Sequence, residues 1–183
     1  LNVEIRQRDL KYNNIDEVIN GNAQYGVADS ILILYRLKQQ PVVIVSPIFQ
    51  HSPSVFISLK KSNISSVYEL NNKDILFYPN DTDGFSLLAM IKKFDLDVNL
   101  VRERYKDDYM RLINNEVDVM PAYIANEPFL FKEKGYDVNI INPTNYGFDM
   151  YGDMLFTNED EAKNNPIRVE KFKEATLKGW KYA

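Results

Sequence analysis

The chain has 183 residues and a formal net charge of −4, and its 22 basic residues are scattered rather than gathered into a stripe. This charge pattern excludes the footprint typical of nucleic-acid-binding domains, and the length fits one ordinary domain or two small lobes. The sequence has no cysteine and one histidine, His51. Disulfides, thiolate metal sites and cysteine nucleophiles are therefore excluded, and neither a His-rich zinc site nor a Ser–His triad is expected. No apolar run approaches the roughly 18 residues that a membrane-spanning helix needs.

Apolar periodicity predicts alternating strands and helices along the first third of the chain. The predicted elements there are a strand at 1–5, a helix at 13–20, a strand at 23–28, a helix at 31–40, a strand at 41–49 and an extended segment at 54–60. Asp29 or Ser30 can cap the helix at 31–40. That helix ends before Pro41, because a proline disfavours helical geometry in the residue that precedes it.

A second series of predicted elements begins near residue 63. It comprises a short helix at 65–72, a strand at 74–79, a helix at 85–94, a strand at 99–105, a helix at 106–115, a strand at 117–123, a helix at 126–135 and a strand at 137–143. The helix at 85–94 places four apolar side chains on one face, namely Leu87, Met90, Ile91 and Phe94. Strands that alternate with helices in this way predict parallel α/β layers.

Residues 18–28 and 112–122 share a layout of helix end, Asn-containing turn and strand, followed by a polar turn. One interpretation is that any two αβ units look alike in this way. The other is that two similar lobes direct the carboxyl ends of their strands towards a shared cleft. Ligands of open α/β sheets bind outside the carboxyl ends of the strands. The second interpretation therefore places Asp29-Ser30 and Asn126-Glu127, the two polar turns, at a ligand.

Four segments of the chain carry a resemblance to a known family. They are YGVADSILIL at 25–34, PIFQHSP at 47–53, AYIANEPF at 122–129 and NYGFDMYGDMLFTNE at 145–159. In this order they resemble the NMT1/THI5-like group of type II periplasmic solute-binding proteins, and within it the extracytoplasmic sensor parts of membrane-bound histidine kinases and diguanylate cyclases. The resemblance extends over nearly the whole chain. Each segment alone is weak, but four in register are fairly specific.

The resemblance implies an α/β fold of the periplasmic binding protein type II, with two lobes, a hinge and a ligand cleft between the lobes. Lobe one is then expected at 1–58 plus 149–183, and lobe two at 59–148. The extended segments SVFISLK at 54–60 and YGDMLFTN at 151–158 would carry the chain across between the lobes. The opening strand and helix of the family's first lobe are expected to be missing before Leu1.

Glu127 follows a predicted strand, and Pro128 beside it fits the first turn of a helix, where no backbone N–H is needed. Asn126 or Glu127 is therefore the approximate N-cap. Glu127 either only favours the positive end of the helix dipole, which is worth up to about 1 kcal/mol, or accepts hydrogen bonds from a ligand amino group. The resemblance favours the ligand role, since pyrimidine-precursor binders in this family use cleft acids. Tyr123 and Asn126 are assigned to the same site.

Two further stretches supply candidate ligand contacts. Asp29 and Ser30 can cap a helix and contact a ligand at the same time, whereas Tyr25, inside the preceding strand, contacts either a ligand or the core. Gln50 and His51 lie near the expected hinge, where His51 either lines the cleft or is a satisfied structural residue.

Two acidic turns complete the candidate set. The stretch Asp81-Thr82-Asp83-Gly84 precedes a helix, so its aspartates are either caps and dipole partners, or Thr82 or Asp83 faces the ligand. The stretch at 146–153 is dense in aromatic and acidic residues. Its rings either pack on the core, or Tyr146 or Asp149 reaches the ligand.

The candidate residues are acidic and aromatic, and none of their motifs contains an arginine. Sulfonate, phosphate and carboxylate ligands usually need an arginine or a bare helix N-terminus. The sequence therefore predicts a flat, amine-bearing, neutral or cationic ligand, held by ring stacking and by N–H bonds to carboxylates. An aminopyrimidine of the thiamine-precursor type fits this description, as do other heterocyclic amines and a polyamine.

These expectations lead to a non-catalytic, small-molecule-binding domain that uses neither a cofactor nor a metal. It would lie outside the cytoplasmic membrane, as the sensor input of a membrane-anchored protein with a signalling module. Alternatively, it would be the periplasmic component of an ABC transporter that delivers its ligand to a permease. A third alternative is an enzyme like the family's eukaryotic pyrimidine-precursor synthases, which use pyridoxal phosphate, a lysine and a cysteine-rich motif. A domain that binds only proteins is the fourth.

Overall fold

The computed structural model of the protein describes residues 2–7, 9, 11–79, 83–102 and 108–183. The chain forms two compact units. Unit 1 consists of Leu1–Gln50 and Tyr151–Ala183, and unit 2 consists of His51–Met150. The chain therefore passes from unit 1 to unit 2 after Gln50 and returns after Met150.

Helices and strands alternate along most of the described chain. They are, in order, α1 (Asn14–Ile19), β1 (Tyr25–Ala28), α2 (Ile31–Leu37), β2 (Val42–Pro47), β3 (Ser54–Leu59), β4 (Asp74–Leu76), α3 (Phe85–Lys93), β5 (Asn99–Val101), α4 (Tyr109–Ile113), β6 (Met120–Tyr123), α5 (Glu127–Glu133), β7 (Val138–Ile141), β8 (Met154–Asn158), α6 (Glu159–Asn164) and α7 (Pro166–Tyr182). Short 3-10 turns lie at Lys60–Ser62, Val67–Leu70 and Pro143–Tyr146.

The described part of unit 1 contains a sheet with the strand order β1-β8-β2. Strand β8 is antiparallel to both neighbours, so β1 and β2 run parallel to each other. Met154, the first residue of β8, pairs with Ala28 of β1 and with Pro47 of β2. The carboxyl ends of β1 and β2 therefore lie at the same end of this sheet, beside the start of β8.

The central strand β8 is buried along its whole length. Its first three side chains are apolar and lie in the core, and its polar end satisfies backbone groups of neighbouring elements. The Thr157 hydroxyl donates to the Gln24 carbonyl at 2.6 Å, and the Asn158 amide donates to the Val18 carbonyl at 2.7 Å. Buried polar side chains nearly always have such partners, so the sequence MLFTN suits a strand that is covered on both faces.

A buried carboxylate, that of Glu161 in α6, ties helices to this sheet. The side chain is only 7% exposed. It accepts hydrogen bonds from the Tyr25 hydroxyl at 3.0 Å, from the Asn165 amide at 3.0 Å, and from both Nε, at 2.6 Å, and Nη2 of Arg168. These donors, Arg168 foremost, hold the pKa of Glu161 below its usual range in spite of its burial. The ionised carboxylate thus links β1, α6 and α7.

The described part of unit 2 contains two groups of strands. Strand β3 lies between β6 and β7 and is antiparallel to both, whereas β4 and β5 are parallel to each other. A parallel bridge between Ile75 and Val119 joins β4 to the residue that precedes β6. The apolar face predicted for α3 is confirmed, since Leu87, Met90 and Ile91 are buried in the core of this unit.

The unit boundaries differ from the expected lobe boundaries at residues 51–58 and 149–150. The expectation assigns both stretches to lobe one, whereas the structure places them in unit 2. The reason for the first stretch is that β3 pairs with β6 and β7, which both belong to unit 2. The reason for the second is a backbone hydrogen bond of 2.7 Å from the Ser52 N–H to the Met150 carbonyl.

The predicted strand at 1–5 is wrong, because residues 2–7 form neither a helix nor a strand. Val3 and Ile5 are exposed, at 47% and 90%. Alternating apolar residues favour a strand only where a neighbouring strand pairs with them and other side chains pack on their apolar face. Leu1 lies outside the described residues, as do residues 103–107, which belong to the predicted strand at 99–105 and the predicted helix at 106–115.

Parallel layers, as predicted, are present for β4 with β5, but β3 and β8 run against their neighbours. Both antiparallel strands follow directly after a passage of the chain between the units. In its own unit, each of them starts at the end of the sheet where a neighbouring strand finishes. Such a strand has to run in the opposite direction.

We expect Glu161→Gln to lower the free energy of unfolding by about 1–3 kcal/mol, since hydrogen bonds to a charged group contribute roughly 1.5–3 kcal/mol. Urea unfolding followed by circular dichroism measures this loss. The matched control is Glu159→Gln, whose exposed carboxylate pairs with Arg36 and whose replacement should cost less than about 1 kcal/mol. Equal losses in the two variants would contradict the importance of the buried carboxylate.

Candidate functional site

The carboxyl ends of three strands of unit 2 lie at one edge of that unit. Strands β4 and β5 are parallel, and the bridge between Ile75 and Val119 sets β6 in the same direction. The pairing continues past the strand ends, since the Phe77 N–H donates to the Val101 carbonyl at 2.8 Å. Open α/β sheets bind ligands outside such strand ends. We call the described residues that directly follow β4, β5 and β6 the carboxyl edge of unit 2.

Glu127 lies at the carboxyl edge as the first residue of α5, directly after the turn that follows β6. Its Oε2 accepts the Tyr123 N–H at 2.7 Å, and the Asn126 N–H donates to the Tyr123 carbonyl at 2.9 Å. Asn126 is the N-cap of α5 and is exposed, and its side chain makes no capping bond. The half-buried Glu127 therefore closes its own turn, and a carboxylate, which can accept about four hydrogen bonds, keeps capacity for a ligand donor.

His51 and Asp149 form a hydrogen-bonded pair in unit 2. The distance between His51 Nδ1 and Asp149 Oδ1 is 2.7 Å. The pair lies on the same side of the unit as the Glu127 turn, because Ser54, the first residue of β3, pairs with Tyr123, the last residue of β6. The structure thus brings His51, Asp149, Tyr123 and Glu127 to one edge of unit 2, although they are distant in sequence.

Asp83 also belongs to this edge, in the turn that precedes α3. It is half-buried and is followed by Gly84, the N-cap, which has a φ of +69°. A Cβ atom at Gly84 would lie 2.9 Å from the ring of Tyr78, so this position needs glycine both for its conformation and for its space. The turn consequently packs against the end of β4. Asp81 and Thr82 of the same predicted turn lie outside the described residues.

Tyr146 has a packing role in unit 2. Its hydroxyl accepts the Val67 N–H at 3.1 Å, and its ring meets Phe94 edge to face, with 5.8 Å between the ring centroids. It packs against the apolar core of unit 2. These contacts fit the core-packing interpretation for the Tyr146 ring. The ligand role of Tyr146 stays a prediction.

Arg102 is a residue of the carboxyl edge that the sequence did not single out. It directly follows β5, its Nη1 donates to the Tyr78 carbonyl at 3.3 Å, and its guanidinium carbon lies 5.9 Å from the centroid of the Phe77 ring. Arg102 lies between the recognised motifs, none of which contains an arginine. The signal that could have found it is its position at the carboxyl end of a strand. The edge therefore carries one guanidinium beside its carboxylates.

In unit 1, Asp29, Ser30 and Gln50 lie at the end of the sheet where β1 and β2 finish. Asp29 Oδ1 accepts the Ile31 N–H at 2.9 Å, which caps α2, and the buried Ser30 hydroxyl donates to the Tyr151 carbonyl at 2.6 Å. Gln50 is exposed. Asp29 thus has the predicted capping role, whereas the Ser30 hydroxyl fixes the returning chain.

Tyr25 lies at the other end of β1, about 10 Å from its carboxyl end at the usual rise per residue. Its hydroxyl donates to Glu161, and its ring stacks on Phe172 with 4.1 Å between the centroids. Burial, together with the neighbouring Glu161 carboxylate, raises the pKa of Tyr25 to about 12. These contacts fit the core alternative for Tyr25, and its ligand role stays a prediction.

Unit 1 also has a polar depression of about 280 Å³. It is lined by the loop between α1 and β1 and by residues of α6 and α7, among them Asn20, Gln24, Asn164 and Arg168. It lies beside Asn158, at the end of the sheet opposite to Asp29. The predicted ligand residues do not line it.

The described part of the chain shows neither a cluster of metal ligands nor a membrane-spanning helix. Among its His, Asp and Glu side chains, no group of three or more is arranged to hold a metal ion. None of its helices combines the length and the apolarity needed to cross a membrane.

A family model described as NMT1/THI5 like matches residues 1–183, the whole of the sequence. The chain belongs to the NMT1/THI5-like family. The family predicted from the four segments is thereby confirmed. No curated protein sequence matches the chain significantly.

Solved structures show the fold of this NMT1/THI5-like chain. The alkanesulfonate-binding protein SsuA from Xanthomonas axonopodis pv. citri, bound to MOPS, is 16% identical with a TM-score of 0.64, and the match covers 86% of this chain and 55% of SsuA. The periplasmic aliphatic sulphonate-binding protein SsuA from Escherichia coli is 14% identical with a TM-score of 0.65, covering 86% and 55%. The chain therefore spans little more than half the length of these SsuA proteins.

A third similar structure is the periplasmic arginine-binding protein STM4351 from Salmonella typhimurium. It is 15% identical with a TM-score of 0.65, and the match covers 91% of this chain and 70% of that protein. At such identities the likeness concerns the fold alone. The α/β fold of the type II periplasmic binding proteins, predicted from the sequence, is confirmed.

We expect the free energy of unfolding to fall as the pH rises from about 10 to about 12, because the folded-state pKa of Tyr25, about 12, lies above its ordinary value of 10.0. The folded state then holds a proton that the unfolded state has lost, so this stabilisation is complete below that window. Urea unfolding across the window should show a smaller fall for Tyr25→Phe than for the wild type. The control is Tyr68→Phe, at a tyrosine that is 70% exposed. If Tyr25→Phe and Tyr68→Phe behave alike, the Tyr25–Glu161 contact is not the cause.

Proposed function

We propose that this NMT1/THI5-like chain is the non-catalytic, ligand-binding part of a solute-binding protein, and that its ligand is a flat heterocycle with an amino group. The observation that carries the proposal is that Glu127 and Asp83 lie beyond the carboxyl ends of strands of unit 2, and that the pair of His51 and Asp149 lies on the same side of the unit as Glu127. Three carboxylates and an imidazole offer acceptors for N–H groups, and Tyr78 and Tyr123 of the same edge offer rings.

The proposed binding mode uses both units as lobes of one binding protein. Asp29, Ser30 and Gln50 follow the parallel strands of unit 1, and the residues of the carboxyl edge follow those of unit 2. In this proposal each set contacts ligand from its own unit, and the passages of the chain after Gln50 and after Met150 act as the hinge. Ligand binding would then favour a closed form by hinge closure.

The aminopyrimidine precursor of thiamine is the ligand that this proposal favours. It combines a flat ring with an amino group, and it carries no anionic group that would be repelled by the carboxylates. Catalysis is not part of the proposal. The pyridoxal-phosphate synthases of the family use a cysteine-rich motif, and this chain contains no cysteine.

A second candidate ligand class is supported by Arg102. A guanidinium beside the strand ends suits a sulfonate or a carboxylate, and two similar structures are named as sulfonate-binding proteins. Arginine, the ligand named for another similar structure, carries both kinds of group. The amine is favoured here because acceptors outnumber this one cation among the described residues of the edge.

Two biological settings fit such a domain, and both place it outside the cytoplasmic membrane. We favour a sensor, in which closure on the ligand biases a signalling module of the same membrane-anchored protein. The alternative is the binding component of an ABC transporter, in which the closed form meets a permease. The name of a further similar structure, a substrate-binding protein of an amino acid ABC transporter, supports that alternative.

Thermal-shift screening of thiamine precursors, other amines and alkanesulfonates tests the ligand class. A ligand that binds only the folded state raises the melting temperature, by an amount that grows with its concentration relative to Kd. We expect the aminopyrimidine precursor to raise it and ethanesulfonate to leave it unchanged. The reverse result would show that the ligand is an anion and not an amine.

We expect Glu127→Gln to weaken binding of the aminopyrimidine about tenfold or more, since a hydrogen bond to a charged acceptor contributes roughly 1.5–3 kcal/mol. Isothermal titration calorimetry measures the change. Glu133→Gln, at an exposed position at the other end of α5, is the matched control and should leave Kd unchanged. Because Glu127 also closes its turn, the ligand-free melting temperature of both variants is measured as well. Unchanged affinity in folded Glu127→Gln would contradict the role of Glu127.

A further inference from the structure

The pair of His51 and Asp149 is held in place from both sides. The Ser52 N–H donates to the Met150 carbonyl at 2.7 Å, which joins the two stretches that carry the pair. The Ile124 N–H donates to the Pro53 carbonyl at 2.9 Å, which joins the His51 stretch to the turn after β6. The backbone that carries the imidazole is therefore held beside the turn that leads to Glu127.

The hydrogen bond to Asp149 determines which ring nitrogen of His51 carries the proton. An ionised carboxylate can only accept hydrogen bonds, so the nitrogen that it meets at 2.7 Å, Nδ1, has to be the donor. In a neutral imidazole the other nitrogen, Nε2, then has a lone pair and is an acceptor. The His51 side chain is 74% exposed, so a ligand can reach this ring.

We propose that Asp149 is a positioning residue that fixes the Nδ1–H tautomer of His51, so that Nε2 accepts an N–H group of the ligand. This inference rests on the proposed function and deepens it, because it specifies that His51 accepts a hydrogen bond from the ligand and does not donate one. A neutral imidazole held in this tautomer accepts from an amine and has no proton at Nε2 to donate to a sulfonate or a carboxylate.

The ionisable groups around His51 also favour a ligand that donates hydrogen bonds. The stretches that are bonded to the His51 stretch supply Asp149, Tyr123 at the end of β6 and Glu127 at the start of α5. Two of these three groups are carboxylates, which favour a donor on the ligand. The imidazole and the Glu127 carboxylate thus offer two acceptors to one amino group or to neighbouring N–H groups of one heterocycle.

The test begins with the ligand-free protein. His51 is the only histidine of the chain, so nitrogen NMR of protein labelled at histidine gives one imidazole, which needs no assignment. Well above the usual imidazole titration range, we expect a protonated Nδ1 and an unprotonated Nε2 in the wild type. In Asp149→Asn we expect a population with the proton on Nε2, because an amide can donate as well as accept. Asp137→Asn, an exposed aspartate of the same unit, is the matched control for charge and should leave the spectrum unchanged.

The second arm adds the aminopyrimidine precursor of thiamine as the probe. We expect its binding to move the Nε2 resonance, and we expect Asp149→Asn to weaken its Kd about threefold to tenfold, the range of one net hydrogen bond. Asp137→Asn should bind like the wild type. Melting temperatures of the ligand-free variants show whether both are folded.

The outcomes separate this inference from the proposed function. A wild-type imidazole with its proton on Nε2 overturns the role of Asp149, whatever ligand binds. Binding of the probe, detected by thermal shift, without movement of the Nε2 resonance overturns the ligand contact and leaves the proposed function standing. If no amine raises the melting temperature, the proposed function fails and the ligand contact with it, while the spectra of the ligand-free variants still decide whether Asp149 sets the tautomer.

Discussion

Unit 1 depends on keeping one carboxylate charged where water hardly reaches it. Removing an ion from water costs several kcal/mol, and this cost is offset only where protein donors replace the water. Around Glu161 these donors are Tyr25, Asn165 and Arg168. Tyr25 is 136 residues away along the chain, so the same contacts that offset the cost also bind the two separate stretches of unit 1 to each other. The Asn158 side chain holds the Glu161 N–H at 2.7 Å, which connects this polar cluster to the end of the buried strand β8.

The acids at the strand ends each accept a backbone N–H from a residue close by in the chain, and a carboxylate can accept about four hydrogen bonds. Glu127 accepts the Tyr123 N–H, and Asp29 accepts the Ile31 N–H. Capping and ligand binding are therefore compatible roles for these side chains rather than competing ones. A carboxylate that is already bonded to its own turn loses little freedom when a ligand arrives, and rigid placement of contact groups is what a binding site needs.

Local sequence signals predict local features well. The turn residues and the apolar periodicity indicated the described elements from α1 to β7, the capping role of Asp29 and the buried face of α3. The four family segments predicted the fold. The wrong strand at 1–5 shows the limit of such signals. Alternation indicates which residues a strand would bury, but it does not indicate whether a neighbouring element is present to bury them.

The features that the sequence missed are set by pairings between distant residues. His51 and Asp149 meet across 98 residues, and no spacing rule predicts that contact. Arg102 reaches the end of β4 because β5 pairs with β4, which periodicity cannot reveal. The boundary after Gln50 depends on which sheet β3 joins, and an apolar run such as SVFISL suits either sheet. The candidate site was therefore predicted as a set of residues but not as an arrangement.

The strand order of unit 1 has a consequence for synthesis of the chain. In the described sheet, β1 and β2 each pair with β8, which the ribosome makes more than a hundred residues after β2. Strands β1 and β2 therefore remain without their partner β8 while the contiguous stretch His51–Met150 is made. That stretch can already fold during this time. A newly made chain thus carries unpaired strands for several seconds at about 5–20 residues per second, and unpaired strand edges are prone to aggregation.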